Sequence, residues 1–309
     1  MSLHNVVIGT RGSQLARAQT EQFAERLRQC FPDLVVETRL IRTTGDSVAD
    51  RPLKEVGTKG MFVKEIEEAL LQGAIDVGIH SLKDMPSELP DGLSLCCIPE
   101  REDPRDSLLT LEKLTLTDLK PGAVVGTSSP RRKAQISELR PDLNWRDIRG
   151  NLDTRIRKLE DGEFDAILLA CAGLNRLGVG SSYSQPLDIE NCVPAVGQGA
   201  LAIETRTDRS ELRELLSALN DPLTEYACKA ERSFLRALDG GCTVPAGALA
   251  HCKEDLIRMV AVYANASSGK ISKVHISGKA IDADEIGKRA AEDIIKLSNS
   301  SLTAENDVS

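Results

Sequence analysis

Gly73-Ala74-Ile75-Asp76-Val77-Gly78-Ile79-His80-Ser81-Leu82-Lys83-Asp84-Met85-Pro86 is the stretch on which the fold turns. A helical face of Phe62, Ile66, Ala69 and Leu70 precedes it, Gly73 breaks the helix, and Asp76–Ile79 reads as a buried strand. Hydroxyl, ammonium and carboxylate groups then arrive together at the strand end. The same order recurs downstream. Leu152, Ile156 and Leu159 make a helical face, Gly162 ends it, and Asp165-Ala166-Ile167-Leu168-Leu169 is a second buried strand.

The segments upstream of each unit also match. Val6-Val7-Ile8-Gly9-Thr10 is a strand, Arg11-Gly12-Ser13 a turn, and the next helix carries Ala16, Phe23, Leu27 and Cys30 on one face. Val124-Val125-Gly126-Thr127 leads through Ser128-Ser129-Pro130 into a helix bearing Arg131 and Arg132. Strands alternating with helices predict two α/β units with largely parallel sheets, whose strand-end loops face a shared cleft. A strand that ends in small and hydroxylic residues before a helix aims backbone N–H groups outward, which favours an anion.

The third region has a different plan. Asp221 is placed as an N-cap, Pro222 suits a first turn, and Leu223, Ala227, Ala230, Phe234 and Leu238 share a helical face. Strands are expected at Ile257–Tyr263 and Ile271–Ile276 around Ser267-Ser268-Gly269, then a helix through Ile286, Ala290, Ile294 and Leu297. Such an order predicts a small α+β domain. Between the first helix and that region, Thr43 to Gly60 is long, polar and glycine-punctuated, as suits a lid or a plain surface loop.

Composition narrows the function. The 309 residues predict more than one domain, and 3% aromatics require a core of Leu, Ile, Val and Ala. No apolar run reaches the roughly 20 residues that span a bilayer, and Met1–Val7 lacks a signal-peptide pattern. Eight cysteines without Cys-x-x-Cys spacing, and only four histidines, point to a reducing cytoplasm and no structural zinc. A net charge of −8 argues against nucleic acid as a partner. Arginines are nonetheless concentrated: Arg11, Arg131, Arg132, Arg149, Arg155 and Arg176 fall at strand-end turns or helix starts. A solvated charged face explains such a cluster; so does a cleft for a multi-carboxylate ligand, since guanidinium forks pair two-pronged with carboxylates. There is no Walker loop, no Gly-x-Gly-x-x-Gly and no metal-ligand spacing.

Individual residues keep two readings. Asp84 beside Lys83 is either a structural ion pair or, at a strand end ahead of Pro86, a general acid or cation-stabilising carboxylate. Gly197-Gln198-Gly199 is a hinge turn or a ligand contact through Gln198. Cys242, in Gly240-Gly241-Cys242-Thr243-Val244-Pro245, is a small hydrophobe under a helix end or an accessible thiol on an uncrowded turn. The other cysteines read as structural, with Cys30 on a core face.

Together, Gly9-Thr10-Arg11-Gly12-Ser13, His80–Pro86, Gly126–Arg132, Ile148-Arg149-Gly150-Asn151, Ala172–Gly178, Ala195–Leu201 and Gly240-Gly241-Cys242 closely resemble the porphobilinogen deaminase (hydroxymethylbilane synthase) family. The likeness runs from Ile8 to about Pro245 and continues more loosely to the C-terminus. Pro130 departs from it, where the family commonly has leucine. The resemblance implies a monomeric cytoplasmic transferase of tetrapyrrole (haem) biosynthesis with no metal, nucleotide or membrane partner. Four porphobilinogen molecules are joined head to tail with loss of ammonia, and the product is released by water.

It further implies a dipyrromethane cofactor joined by thioether to Cys242, and a catalytic carboxylate at Asp84. Ser81, Lys83, Thr127, Ser128, Ser129, Arg131 and Arg132 would hold the cofactor. Arg11, Ser13, Gln19, Lys59, Arg149, Gly150, Arg155, Arg176 and Gln198 would serve the substrate, Lys59 from the lid. The implied architecture is two lobes like type II periplasmic binding proteins plus a small α+β domain. Residues 1–100 and 200–220 would form domain 1, 101–199 domain 2 and 221–309 domain 3. Two rival readings use the same residues. A non-catalytic two-lobed receptor for a small carboxylate has no need of the Gly240-Gly241-Cys242 turn. A transferase using Cys242 as turnover nucleophile wants a nearby base, and that motif holds no histidine.

Overall fold

The computed structural model describes residues 4–43, 63–86, 88–179, 183–238, 244–265 and 269–306. The expected lid with Lys59, the Phe62 position, the Gly240-Gly241-Cys242 turn and Ser267-Ser268 lie outside the described residues.

From the N-terminus the chain forms β1 (Asn5–Arg11), α1 (Gln14–Cys30), β2 (Val35–Ile41), α2 (Lys64–Leu71), β3 (Val77–Ser81) and β4 (Leu93–Cys97). A second set follows: β5 (Asp106–Leu109), β6 (Val124–Gly126), α3 (Pro130–Leu139), β7 (Asn144–Arg146), α4 (Leu152–Glu160), β8 (Ala166–Ala170), α5 (Cys171–Leu177) and β9 (Ser184–Pro186). Then come β10 (Leu201–Arg206), α6 (Ser210–Ser217), α7 (Pro222–Ala237), β11 (Ala246–Lys253), β12 (Leu256–Ala264), β13 (Ile271–Lys279) and α8 (Ala283–Asn306).

The two five-stranded sheets run β2-β1-β3-β10-β4 and β7-β6-β8-β5-β9. In each, three strands are parallel, and the fourth, β10 or β5, is antiparallel to both its neighbours. The expectation of largely parallel sheets therefore needs correction at that strand. It is supplied by chain crossing between the lobes rather than by a helical crossover, so nothing constrains it to run parallel.

The lobes share detail as well as order. Val7 N–H donates to Asp76 Oδ2 at 2.9 Å, and Val124 N–H to Asp165 Oδ2 at 2.7 Å. Asp76 and Asp165 return their own N–H groups to the carbonyls of Val7 and Val124. One aspartate thus pins the third strand to the first in each lobe. Gly73 and Gly162, which end the helices before those aspartates, both have positive φ, +70° and +73°.

Cores form where the sequence periodicity places them. Val6, Ile8, Phe23, Leu27, Val77 and Ile203 fill one lobe, and Leu108, Val125, Ile136 and Leu168 the other. Cys30 does not join the first core: it is exposed on the last turn of α1, and Phe31 packs there instead. Asp221 caps α7 as expected, accepting from Thr224 N–H at 3.2 Å. The third region has three antiparallel strands, not two. The unexpected one, β11, is Ala-Gly-Ala-Leu-Ala-His-Cys-Lys, without the β-branched signature of a strand. Its Ala248, Ala250 and Cys252 lie in one core with Ala230, Phe234, Ile286 and Ala290 of α7 and α8. No helix among the described residues is long and apolar enough to cross a membrane.

Candidate active site

Strand ends from both lobes build one cleft, and each functional side chain owes its position to a local device. In the first lobe β1 ends at Arg11, and Ser13 caps α1 by accepting from Ala16 N–H at 3.3 Å. β3 ends at Ser81, followed by a single 3-10 turn over Leu82–Asp84. Leu82 is buried, and its N–H donates to Ala200 O at 3.0 Å. This anchored leucine leaves Lys83 and Asp84 half-buried on the cleft wall. Gln19 Nε2 donates to Ser81 Oγ at 3.1 Å, linking α1 to the same strand end.

In the second lobe Ser128 Oγ donates to Ile148 O at 2.8 Å, tying the β6 end to the loop that carries Arg149. Gly150 sits at φ +106°, where a Cβ would lie 2.7 Å from Thr154 Cγ2. Its carbonyl accepts from Arg155 Nε at 2.8 Å. Arg176, on α5, donates through Nη2 to Gly199 O at 2.8 Å. The resulting cleft encloses about 340 Å³ between the lobes.

Its charge is strongly unbalanced. Arg11, Lys83, Arg132, Arg149, Arg155 and Arg176 line it, against the carboxylates of Asp84 and Asp153. Burial lowers Lys83 to about 8; Asp84 opposes the shift, while Arg132 and Arg131 add to it. Burial, with Arg132 and Arg149, lowers Arg155 to about 10, and Asp84 pulls the other way. Arg176 is lowered by burial. Cations crowded at this range call for anions, and several carboxylates on one ligand would relieve them.

Of the residues expected from sequence, Arg11, Ser13, Gln19, Ser81, Lys83, Asp84, Ser128, Arg132, Arg149, Gly150, Arg155 and Arg176 meet on this cleft. Four do not line it. Thr127 Oγ1 accepts from Ser129 N–H, and Ser129 Oγ caps α3 by accepting from Arg132 N–H at 3.4 Å. Gln198 is buried, with Nε2 donating to Pro104 O and Asp106 Oδ1, and Oε1 accepting from Lys83 Nζ at 3.4 Å. Arg131 is buried as well, its Nη1 donating to Asp106 Oδ2 at 2.6 Å and Val193 O at 2.7 Å. Their polar groups are already engaged inside the protein, which removes them from the wall. Lys59 and Cys242 lie outside the described residues.

Asp106 is the residue the sequence reading missed. Fully buried at the start of β5, it accepts from Arg131 Nη1, from Arg132 Nε at 2.9 Å and from Arg132 Nη2 at 2.7 Å. Burial alone would raise its pKa, but Arg131 and Arg132 outweigh that and hold the carboxyl well below the usual range. The available signal was an acid heading the apolar run Asp106-Ser107-Leu108-Leu109. Asn151 and Asp153 also line the cleft without having been singled out.

Fold and cleft together define a class: a two-lobed α/β protein with a cationic cleft at its strand ends and a small α+β domain appended. Within that class, the chain belongs to the porphobilinogen deaminase family. The family model described as porphobilinogen deaminase, dipyromethane cofactor binding domain, matches residues 6–214, and the one described as porphobilinogen deaminase, C-terminal domain, matches residues 225–296. Porphobilinogen deaminase of Geobacillus kaustophilus is 48% identical over 290 residues, covering 94% of this chain and 93% of that protein. The Bacillus subtilis porphobilinogen deaminase is 47% identical over 94% of this chain and 92% of its own length. Among solved structures, the periplasmic aliphatic sulphonate binding protein SsuA of Escherichia coli aligns at 14% identity, covering 77% of this chain and 71% of that one, with a TM-score of 0.38. The matching sheet order of the two lobes, not that distant likeness, defines the fold.

Proposed function

We propose that this chain condenses four porphobilinogen molecules head to tail, releasing ammonia at each addition, and frees hydroxymethylbilane by hydrolysis. The observation that carries the reading is the carboxylate of Asp84, held at the end of β3 in a cleft lined by cations from both lobes. The donor set suits a dipyrromethane, whose two pyrroles carry acetate and propionate groups for the Lys83, Arg132 and Arg155 region to bind. When bound, that group supplies a nucleophilic pyrrole carbon, a chemistry no side chain here provides. Cys242, in domain 3 (221–309), is its attachment point, and the cleft belongs to domain 1 (1–100 and 200–220) and domain 2 (101–199).

The arginines hold incoming carboxylates and orient the substrate's aminomethyl carbon. As the C–N bond of the protonated aminomethyl group breaks, neutral ammonia leaves and the positive charge passes to the substrate. Asp84 stabilises that charge and takes up the proton lost from the pyrrole carbon after the C–C bond forms.

Purified protein given porphobilinogen should release ammonia and form hydroxymethylbilane. Its intact mass should exceed the sequence mass by two pyrrole units, localised to the Cys242 peptide. Active protein with an unmodified Cys242 would overturn the attachment, and absence of ammonia release would overturn the reaction.

A further inference from the structure

Asp106 neutralises only part of the charge packed around it. Its carboxylate accepts from two guanidinium groups, from Gln198 Nε2 at 2.9 Å and from Cys192 Sγ at 3.4 Å, with no exposure to solvent. Two guanidiniums against one carboxylate leave the buried group one positive charge in excess, with Lys83 close enough to feel all three. A purely structural ion pair would be balanced, because uncompensated buried charge is costly.

The hydrogen bonding has the same asymmetry. A guanidinium has five N–H donors. On Arg132, Nε and Nη2 are held by Asp106 and Nη1 by Leu168 O at 2.8 Å, so the remaining Nη hydrogens can serve a ligand in the cleft that Arg132 lines. On Arg131 the bonds to Asp106 and Val193 O both use Nη1, and its Cδ lies where a Cβ on Gly247 of the third domain would meet it, at 2.9 Å. One carboxylate therefore fixes an arginine on the cleft wall and another against the third domain.

We infer that Asp106 is a positioning residue for ligand carboxylates: it acts through Arg132, locking that guanidinium on the cleft wall with Arg131 held behind it, and leaves the buried group short of one anion. The inference rests on the polycarboxylate reading of the cleft. It predicts that removing the charge of Asp106 weakens ligand binding, although simple electrostatics would have the loss of an acid strengthen it.

The test compares wild type, Asp106→Asn and Asp106→Glu, with citrate as a carboxylate probe in calorimetric titration and porphobilinogen in steady-state kinetics. Asp106→Asn should weaken citrate binding about tenfold and raise KM about tenfold, with kcat changed less than about threefold. Asp106→Glu restores the charge but displaces it by one methylene, so it should regain thermal stability while KM stays raised. Citrate affinity or KM in Asp106→Asn equal to or better than wild type would overturn the inference. If Asp106→Asn does not fold, Asp106→Glu decides, and a wild-type KM and citrate affinity there would sink the idea. Wild-type protein that binds citrate, with the affinity lost in Asp106→Asn, but leaves porphobilinogen untouched would refute the proposed reaction and keep this inference. Protein that does neither refutes both.

Discussion

Glu231→Gln should be among the most damaging single changes outside the cleft. Glu231 lies on α7 with no solvent exposure, and its carboxylate accepts four hydrogen bonds. Arg101 Nη1 and Nη2 donate at 2.6 and 3.1 Å, Gly197 N–H at 2.7 Å and Ala250 N–H at 2.9 Å. Arg101 belongs to the β4–β5 connection, Gly197 to the β9–β10 connection and Ala250 to β11. One side chain thus ties both interlobe crossings to the third domain. Glutamine keeps the shape but removes the charge, leaving Arg101 buried without compensation and turning an amide donor toward groups that are themselves donors. Breaking a buried pair in this way costs about 3–5 kcal/mol, which for a protein of this size lowers the unfolding midpoint by roughly 5–15 °C. Scanning calorimetry measures the shift. Arg101→Met combined with Glu231→Gln should cost less than the two singles together, by about 1–3 kcal/mol. A Glu231→Gln protein within about 1 kcal/mol of wild type would refute the reasoning.

Three further outcomes can be checked. Asp84→Asn should retain fold and cofactor mass yet lose about 100-fold or more in turnover, because the amide neither holds negative charge nor accepts a proton; near-normal kcat would remove Asp84 from its role. Lys83 titrates near 8 in the folded protein, below its ordinary 10.5, so the cleft loses a cation as pH rises through about 8, and KM should climb there. Between about 8 and 10.5 the unfolded chain binds the proton that the folded one has released, so stability gains with pH over that window. Lys83→Met should abolish both trends, and their persistence would assign them to another group. Gly199→Ala drives a Cβ into the backbone carbonyl of Glu102 at φ +89°, so urea unfolding should register a loss of about 2–4 kcal/mol, and an unchanged midpoint would contradict that contact.

The repeated lobe was legible because its signals are local. Glycine stops, buried strand runs and helical faces occur in the same order twice, and Ser13 and Asp221 announce helix starts through short-range capping. The lobes' internal likeness extends to Asp76 and Asp165, whose shared contact with the first strand is a long-range consequence of that local order. β11 was not legible, since its small residues are chosen to admit α7 and α8 closely, a demand of packing and not of strand propensity. Cys30 was misplaced for the converse reason: it continues the apolar period of α1 just where the helix leaves the core.

The cleft divides along the same line. Residue type and placement at strand ends were enough to nominate Asp84, Lys83 and the arginines, because chemistry at a strand end of an α/β sheet is a local prediction. Sequence alone thus determined the two-lobed α/β plan and the cationic, carboxylate-bearing character of the site. Only tertiary structure separated Arg132, on the wall, from its neighbour Arg131, drawn inward to Asp106. Successive residues on a helix point in different directions, and which of them meets a partner depends on a strand that begins elsewhere in the chain.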